Sequence, residues 1–345
     1  MSSLACTNLL SLAVDPEYIP GAHNAIHVCL RVQQNERVTL ITDEASKDIA
    51  VSLAAELAAL GCDWQAFVLE DLAPRPLKTM PQAVLDDMEK SQVSIFCVKA
   101  QEGELPTRMQ MTDVVNRRRI RHAHMVNINR QIMLEGMRAD FLKVDAISQK
   151  VVELARKAKV IRVTSAAGSD FIAEMEPAYK WLKTSGIISP EKWGNLPGGE
   201  CFTTPRECNG TFVVDGVVGD HLCEKYGNLV GNPLTLKMKA NRLVEATSSN
   251  KELEKDFWDY CHTDENSDRV GEFAIGTNIE LKHVIGHILQ DEKFPGIHIA
   301  FGNPYGAHTG ADWYSATHID VVGTKANIWL DEVQIMEAGR FLIQA

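Results

Sequence analysis

Residues Phe294 to Gly323 read FPGIHIAFGNPYGAHTGADWYSATHIDVVG and carry three of the chain's eleven histidines. Two of these stand in strand-like company, Ile297-His298-Ile299-Ala300-Phe301 and Thr317-His318-Ile319-Asp320-Val321-Val322. Residues two apart on a strand point to one face. His318 and Asp320 therefore project together, while the Ile and Val beside them face the other way. An imidazole and a carboxylate on an otherwise apolar strand need a partner, because buried polar groups are costly unless paired. A metal ion is one such partner, and the other ligands must come from elsewhere in the chain.

At 345 residues the chain has room for two domains and a large core. Its composition, 45% hydrophobic and 23% charged, is that of an ordinary soluble globular protein. A formal charge of −11 argues against a nucleic-acid partner. None of the eight cysteines forms a CxxC pair, which argues against a cysteine-rich zinc site. Several, such as Cys97 in Ser94-Ile95-Phe96-Cys97-Val98, lie in apolar runs expected of core thiols in a reducing compartment. The N-terminal MSSLACTNLLSLAVDP lacks a basic region ahead of its apolar run and reads as a first helix rather than a signal peptide. No apolar stretch reaches the length of a membrane span, so a cytoplasmic protein with no membrane partner is expected.

From residue 36 onward strands and helices alternate. Strand candidates lie at 36–42, 64–69, 93–98 and 124–128, and helix candidates at 46–60, 81–91 and 109–119. This is the pattern of an open α/β sheet with parallel strands. No GxGxxG follows the first strand, so a dinucleotide site has no support. A helix over 145–158 and a strand over 160–164 place the domain boundary near 158. The expected division is an α/β domain over 1–158 and a metal-binding catalytic domain over 159–345. In the second half Asp215-Gly216 reads as a hairpin turn between 211–214 and 217–218, and Ala240-Asn241 as another between 234–239 and 243–246. Ser248 or Ser249 is the expected cap of a helix over 251–260. Later strands fall at 297–302, 316–322 and 326–330, so this half is expected to be mostly antiparallel β.

Other segments carry candidate chemistry. Arg117-Arg118-Arg119-Ile120-Arg121 could bind phosphate or nucleic acid, but a solvated helix C-terminus suits it better. Asn195-Leu196-Pro197-Gly198-Gly199-Glu200 has the composition of a surface loop, yet it presents Glu200 at a strand start. Glu272 lies in Val270-Gly271-Glu272-Phe273-Ala274-Ile275, an apolar setting unusual for a surface carboxylate. Asp170, after Gly168-Ser169, stabilises a turn or contacts substrate. Two histidines and one carboxylate suit a single iron. Adding Glu200 and Glu272 suits two divalent ions bridged by a carboxylate and a water. Spacing does not choose between them.

The four motifs NLPGGECFTTP, VGEFAIGTN, HIAFGNPY and HIDVVG, in this order, resemble the aminopeptidase T-like metallopeptidases of family M29 over roughly residues 30 to 340. The resemblance implies metal ligands at Glu200, Glu272, His298, His318 and Asp320, and a catalytic tyrosine seven residues after the first histidine, at Tyr305. It also implies an N-terminal α/β domain, a mostly β metal domain and a homodimer. The first motif departs from the family pattern, with Pro197-Gly198-Gly199-Glu200 keeping one acidic residue where two are usual. Gly168-Ser169-Asp170-Phe171 is more similar to a divergent branch that includes the dihydroxypyridine ring-cleaving dioxygenases. That branch uses one iron, keeping His-x-Asp and altering the other carboxylate and histidine positions.

With all five ligands present, the resemblance implies a dinuclear Zn, Co or Mn hydrolase of a small peptide or small amide. In it Tyr305 would donate to the oxyanion, Glu200 or Glu272 would move the proton, and Ser169 and Asp170 would contact substrate. The alternative is an Fe(II) ring-cleaving dioxygenase of a hydroxypyridine-type substrate. A third reading is a binding protein on a decayed scaffold, which the complete ligand set argues against.

Overall fold

The computed structural model describes residues 8–219 and 221–344. It divides into two compact units: one is the chain up to Leu142 plus Gly186–Gly198, and the other is Lys143–Ser185 plus the chain from Gly199 onward. The boundary expected near 158 lies inside the second unit. The helix Phe141–Ala155 is the reason, since its Val151, Val152 and Ala155 belong to the second unit's core.

The first unit is a five-stranded sheet in the order Asp63–Val68, Arg37–Thr42, Val93–Cys97, Arg121–His124, Gly194–Asn195, with every neighbouring pair parallel. The helix Lys47–Leu60 ends at Gly61, whose φ of 77° is the left-handed stop expected of it. The fourth strand ends at His124, where 124–128 had been expected to begin. Arg119 adopts a left-handed conformation (φ 56°), stops its helix and starts the strand two residues later. Arg117 and Arg118 pair with Glu89, Arg119 with Glu191 and Arg121 with Glu36, so this basic run is a paired protein surface. Of the first helix expected over 1–16, residues 1–7 lie outside those described; in the rest Leu9–Ser11 form a 3₁₀ turn and no α-helix is present before Ile19.

The second unit has two antiparallel sheets. An eight-stranded sheet runs Arg242–Ser248, Leu234–Lys239, Pro205–Val214, Asp170–Met175, Val160–Ser165, Ala326–Leu330, Val333–Glu337, Arg340–Phe341. Ala240 and Asn241 both have positive φ, the requirement of the tight hairpin expected there. The hairpin expected at Asp215-Gly216 does not form. Asp215 instead accepts from the Thr324 backbone and hydroxyl, and Val218 bridges to Val321. The helix Lys251–Tyr260 is capped by Asn250, whose side chain accepts from the Glu252 and Leu253 amides, and not by either serine.

The other sheet runs His318–Thr324, Gly296–Gly302, Val270–Gly276, Glu200–Thr203, Leu182–Thr184. One face presents Phe273, Ile275, Ile297, Ile299, Phe301, Ile319 and Val321, all buried in the unit's core. Alternation turns the intervening residues to the other face. Val270 and Glu272 break this rule, because a register irregularity between them adds one residue, Gly271, to the strand. Val270 therefore faces the core while Glu272 faces away from it. A side chain at Gly271 would put its Cβ 2.3 Å from the Gly302 carbonyl oxygen. Gly271→Ala is thus expected to destabilise the protein by more than about 1 kcal/mol and to misdirect Glu272. Chemical denaturation together with metal titration checks this, and an unchanged midpoint and affinity would contradict the bulge's role.

Candidate metal centre

The strand register assembles the site. Ala300 lies opposite Glu272 on one neighbouring strand and Asp320 on the other. His298 lies opposite Ala274, His318 opposite Gly302, and Glu200 opposite Gly276. Ala274, Ala300, Gly276 and Gly302 thus form a low floor over which five long polar side chains converge.

His298 Nε2 lies 3.3 Å from Glu272 Oε1 and 3.4 Å from Glu200 Oε2. His318 Nε2 lies 3.5 Å from Asp320 Oδ1 and 3.9 Å from Glu272 Oε2. Donors about 2.0–2.2 Å from one ion stand roughly 3.0–3.5 Å apart, so these gaps approach coordination-polyhedron edges. The His318 Nδ1–H donates to the Asn303 carbonyl (2.9 Å), which leaves Nε2 free to ligate when the ring is neutral. Glu200, Glu272 and His298 are at most 7% exposed, and their ligand atoms form one group that could hold a metal. Buried carboxylates crowded on two imidazoles repel one another unless a cation or protons intervene, so the donor chemistry fits a divalent ion.

The ionisation equilibria express the same demand. Burial disfavours imidazolium at both histidines, yet the carboxylates outweigh it. Glu272, Glu200 and Asp320 push His298 up to about 9, and Asp320 with Glu272 pushes His318 up to about 10. Burial raises Glu272, and Asp320 adds to the rise. Burial also opposes charge on Glu200 and Asp320, but Lys293 with His298, and His318 respectively, hold their carboxyls below the usual range.

One participant carried no signal in the sequence. Lys293, fully buried, donates to Glu200 Oε1 at 2.9 Å and also pairs with Glu292. Thr184, opposite Glu200 across the strands, donates to the same Oε1 at 2.7 Å. Glu200 therefore has only Oε2 left for His298 or an ion. Burial, with Glu200 and Asp320 nearby, pushes Glu292 up to about 8. In sequence Lys293 is one charge in Asp291-Glu292-Lys293 before a Phe-Pro turn, indistinguishable from a surface residue.

Tyr305 stands beside His318, the ring centroids 4.5 Å apart, with a left-handed backbone (φ 49°). The residue is 43% exposed, but the surrounding protein desolvates the phenol. Asp320 and Glu272 also oppose its ionisation, so its pKa lies well above the ordinary tyrosine value. His308 is exposed on the short helix Gly306–Thr309. Asp170 and Ser169 lie at the start of a strand in the other sheet. Asp170 is exposed and pairs with Arg162, while the buried Ser169 hydroxyl accepts from the Val213 amide. The strands do not bring them into the cluster.

A family model for NicX, 2,5-dihydroxypyridine 5,6-dioxygenase, matches residues 21–343. The chain belongs to the NicX family. No curated protein sequence matches it. Among solved structures, 2,5-dihydroxypyridine dioxygenase from Pseudomonas putida KT2440 is similar in fold, with a TM-score of 0.69 and 15% identity, over 94% of this chain and 96% of that one. AmpT from Thermus thermophilus is similar too, with a TM-score of 0.66 and 16% identity, over 95% of this chain and 99% of that one. The resemblance to the aminopeptidase T-like family is thus supported at the level of fold, while the NicX match covers most of the sequence. The chain is an enzyme-family member with a metal-binding cluster, and no helix among the described residues is long and apolar enough to cross a membrane.

A ligating nitrogen must give up its proton, so the raised histidines make metal uptake proton-linked. At pH 7 each ion bound through both imidazoles is expected to release between one and two protons. Affinity should rise with pH until about 9–10 and weaken as pH falls. Calorimetric titration in buffers of different ionisation enthalpy measures this, and zero proton release would contradict it.

Proposed function

We propose that this NicX-family member is an iron-dependent dioxygenase that opens the ring of a hydroxypyridine-type substrate at a single ion. Two observations support this reading over the dinuclear hydrolase that the ligand list implies. The first is the family match over residues 21–343. The second, specific to this site, is Lys293. With both imidazoles neutral, Glu200, Glu272 and Asp320 bring three negative charges and Lys293 returns one, while burial with Glu200 and Asp320 nearby favours the neutral form of Glu292. The remaining two charges match one divalent ion. A second ion could take only one oxygen of Glu200, Oε2, because Lys293 and Thr184 hold Oε1.

His298, His318 and Glu272, with Asp320 beside His318, would hold such an ion, a two-histidine and carboxylate arrangement suited to non-haem iron, and it would draw His318 toward the group that Glu200, Glu272 and His298 already form. Bound Fe(II) would supply dioxygen activation and an anchor for a ring hydroxyl. The chain's own residues do the rest. Glu200, His298 and Lys293 close the inner end of the site, whereas His318 and Asp320 keep 17% and 15% of their side chains open. Substrate therefore enters from the His318 side, where Tyr305 stands. The Tyr305 phenol, held protonated, is placed to donate a hydrogen bond to a substrate oxygen as charge develops on it.

One observation favours the hydrolase as a second reading. Glu272 turns one oxygen to each histidine, with Glu200 beside His298 and Asp320 beside His318, which divides the donors into two half-sites. Two Zn, Co or Mn ions there would serve hydrolysis of a small peptide or amide.

Anaerobic Fe(II) reconstitution followed by oxygen electrode assays with 2,5-dihydroxypyridine separates the two. Oxygen consumption coupled to loss of the aromatic absorbance is expected. Oxygen-independent cleavage of aminoacyl amides, with no uptake of oxygen, would overturn the proposal. Under either chemistry Tyr305→Phe is expected to keep its metal and lose about 10²-fold in kcat. Unchanged turnover would remove Tyr305 from the mechanism.

A further inference from the structure

A second group of metal-type donors lies in the first unit, apart from the chemistry above. The helix Ile19–His23 runs into a π-helical turn, Asn24–Cys29. Such widened turns are rare and often mark functional positions. Here the turn brings His23 and His27 face to face, their ring centroids 4.4 Å apart and inclined by 30°. Both rings point a nitrogen at one oxygen of Glu56, on the helix Lys47–Leu60. His23 Nδ1 lies 3.1 Å from Glu56 Oε2, and His27 Nε2 lies 3.0 Å from the same atom. The three ligand atoms all lie within 4.8 Å of one another.

We propose that His23, His27 and Glu56 form a separate binding site for a borderline divalent ion of the Zn²⁺ class. Two imidazoles and a carboxylate are the donor set such ions prefer, and a small shift of the carboxylate admits an ion with bonds of about 2.0–2.1 Å. The rings come from one helical segment and the carboxylate from another, so the ion would staple the two helices together. The His23 side chain is 58% exposed and Glu56 17%, which leaves the remaining coordination positions to water. An exposed site of this kind is structural or regulatory rather than catalytic. It also bears on any count of metal in this protein, because two ions per chain in bulk analysis would not require a dinuclear active site.

The test uses full-length protein stripped with chelator and titrated calorimetrically with Zn²⁺. Wild type is compared with His23→Ala and Glu56→Gln, both in the first unit and outside the buried core. The expected result is that each variant binds one equivalent less than wild type. The metal-free thermal midpoint should be unchanged, and the Zn²⁺-induced rise in midpoint reduced. A double variant, His318→Ala with Asp320→Ala, should keep the equivalent that the surface variants lose. The proposal is overturned if wild type, His23→Ala and Glu56→Gln take up the same number of ions with the same affinities, which would leave the trio as hydrogen-bonded histidines only.

Discussion

Three carboxylates and two imidazoles share the face of one antiparallel sheet, and each donor crowds the next at 3.3–3.9 Å. Such a cluster is costly without positive charge at its centre. The surrounding structure can be read as the means of holding it together. The opposite face of the same sheet supplies the binding force for the unit, through Phe273, Ile297, Ile299, Phe301, Ile319 and Val321. Alanine and glycine at 274, 276, 300 and 302 keep the polar face low enough for the donors to meet. The bulge at Gly271 lets one strand serve both faces within three residues.

The chain's alternating patterns made much of this legible. His318-x-Asp320 declares its shared face by spacing of two, whereas Asn195–Glu200 has the composition of a surface loop and the set of five ligands followed from the order of motifs that resemble the metallopeptidases. The parallel sheet of the first unit and the Ala240-Asn241 hairpin also follow from periodicity and turn chemistry. What was not legible depends on long-range packing. Lys293 looks like a surface lysine until the fold buries it against Glu200. Val270 and Glu272 read as one face until the bulge separates them. Asp215-Gly216 has turn chemistry, but Asp215 is claimed by Thr324, 109 residues away, and the chain joins another strand instead. Ser169 and Asp170 were expected to contact substrate, yet the topology places Asp170 at the start of a strand in a different sheet, with Ser169 just before it.

The same scaffold in a dihydroxypyridine dioxygenase and in AmpT shows that the fold alone does not assign the reaction. Chemistry is set by charge and by which donor atoms remain available. A complete ligand list argues for two ions, but a list does not register that Lys293 and Thr184 have taken one oxygen of Glu200. Counting the charges that stay buried, rather than the residues that could ligate, is what supports the single ion proposed above.

Anomalous X-ray scattering from crystals of the protein loaded with Fe(II) under anaerobic conditions tests this most directly, because it locates ions rather than counting them in bulk. One peak among Glu272, His298, His318 and Asp320, with Lys293 still on Glu200, is the predicted result. Two peaks bridged by Glu272, with Glu200 turned from Lys293 onto the second ion, would contradict the account.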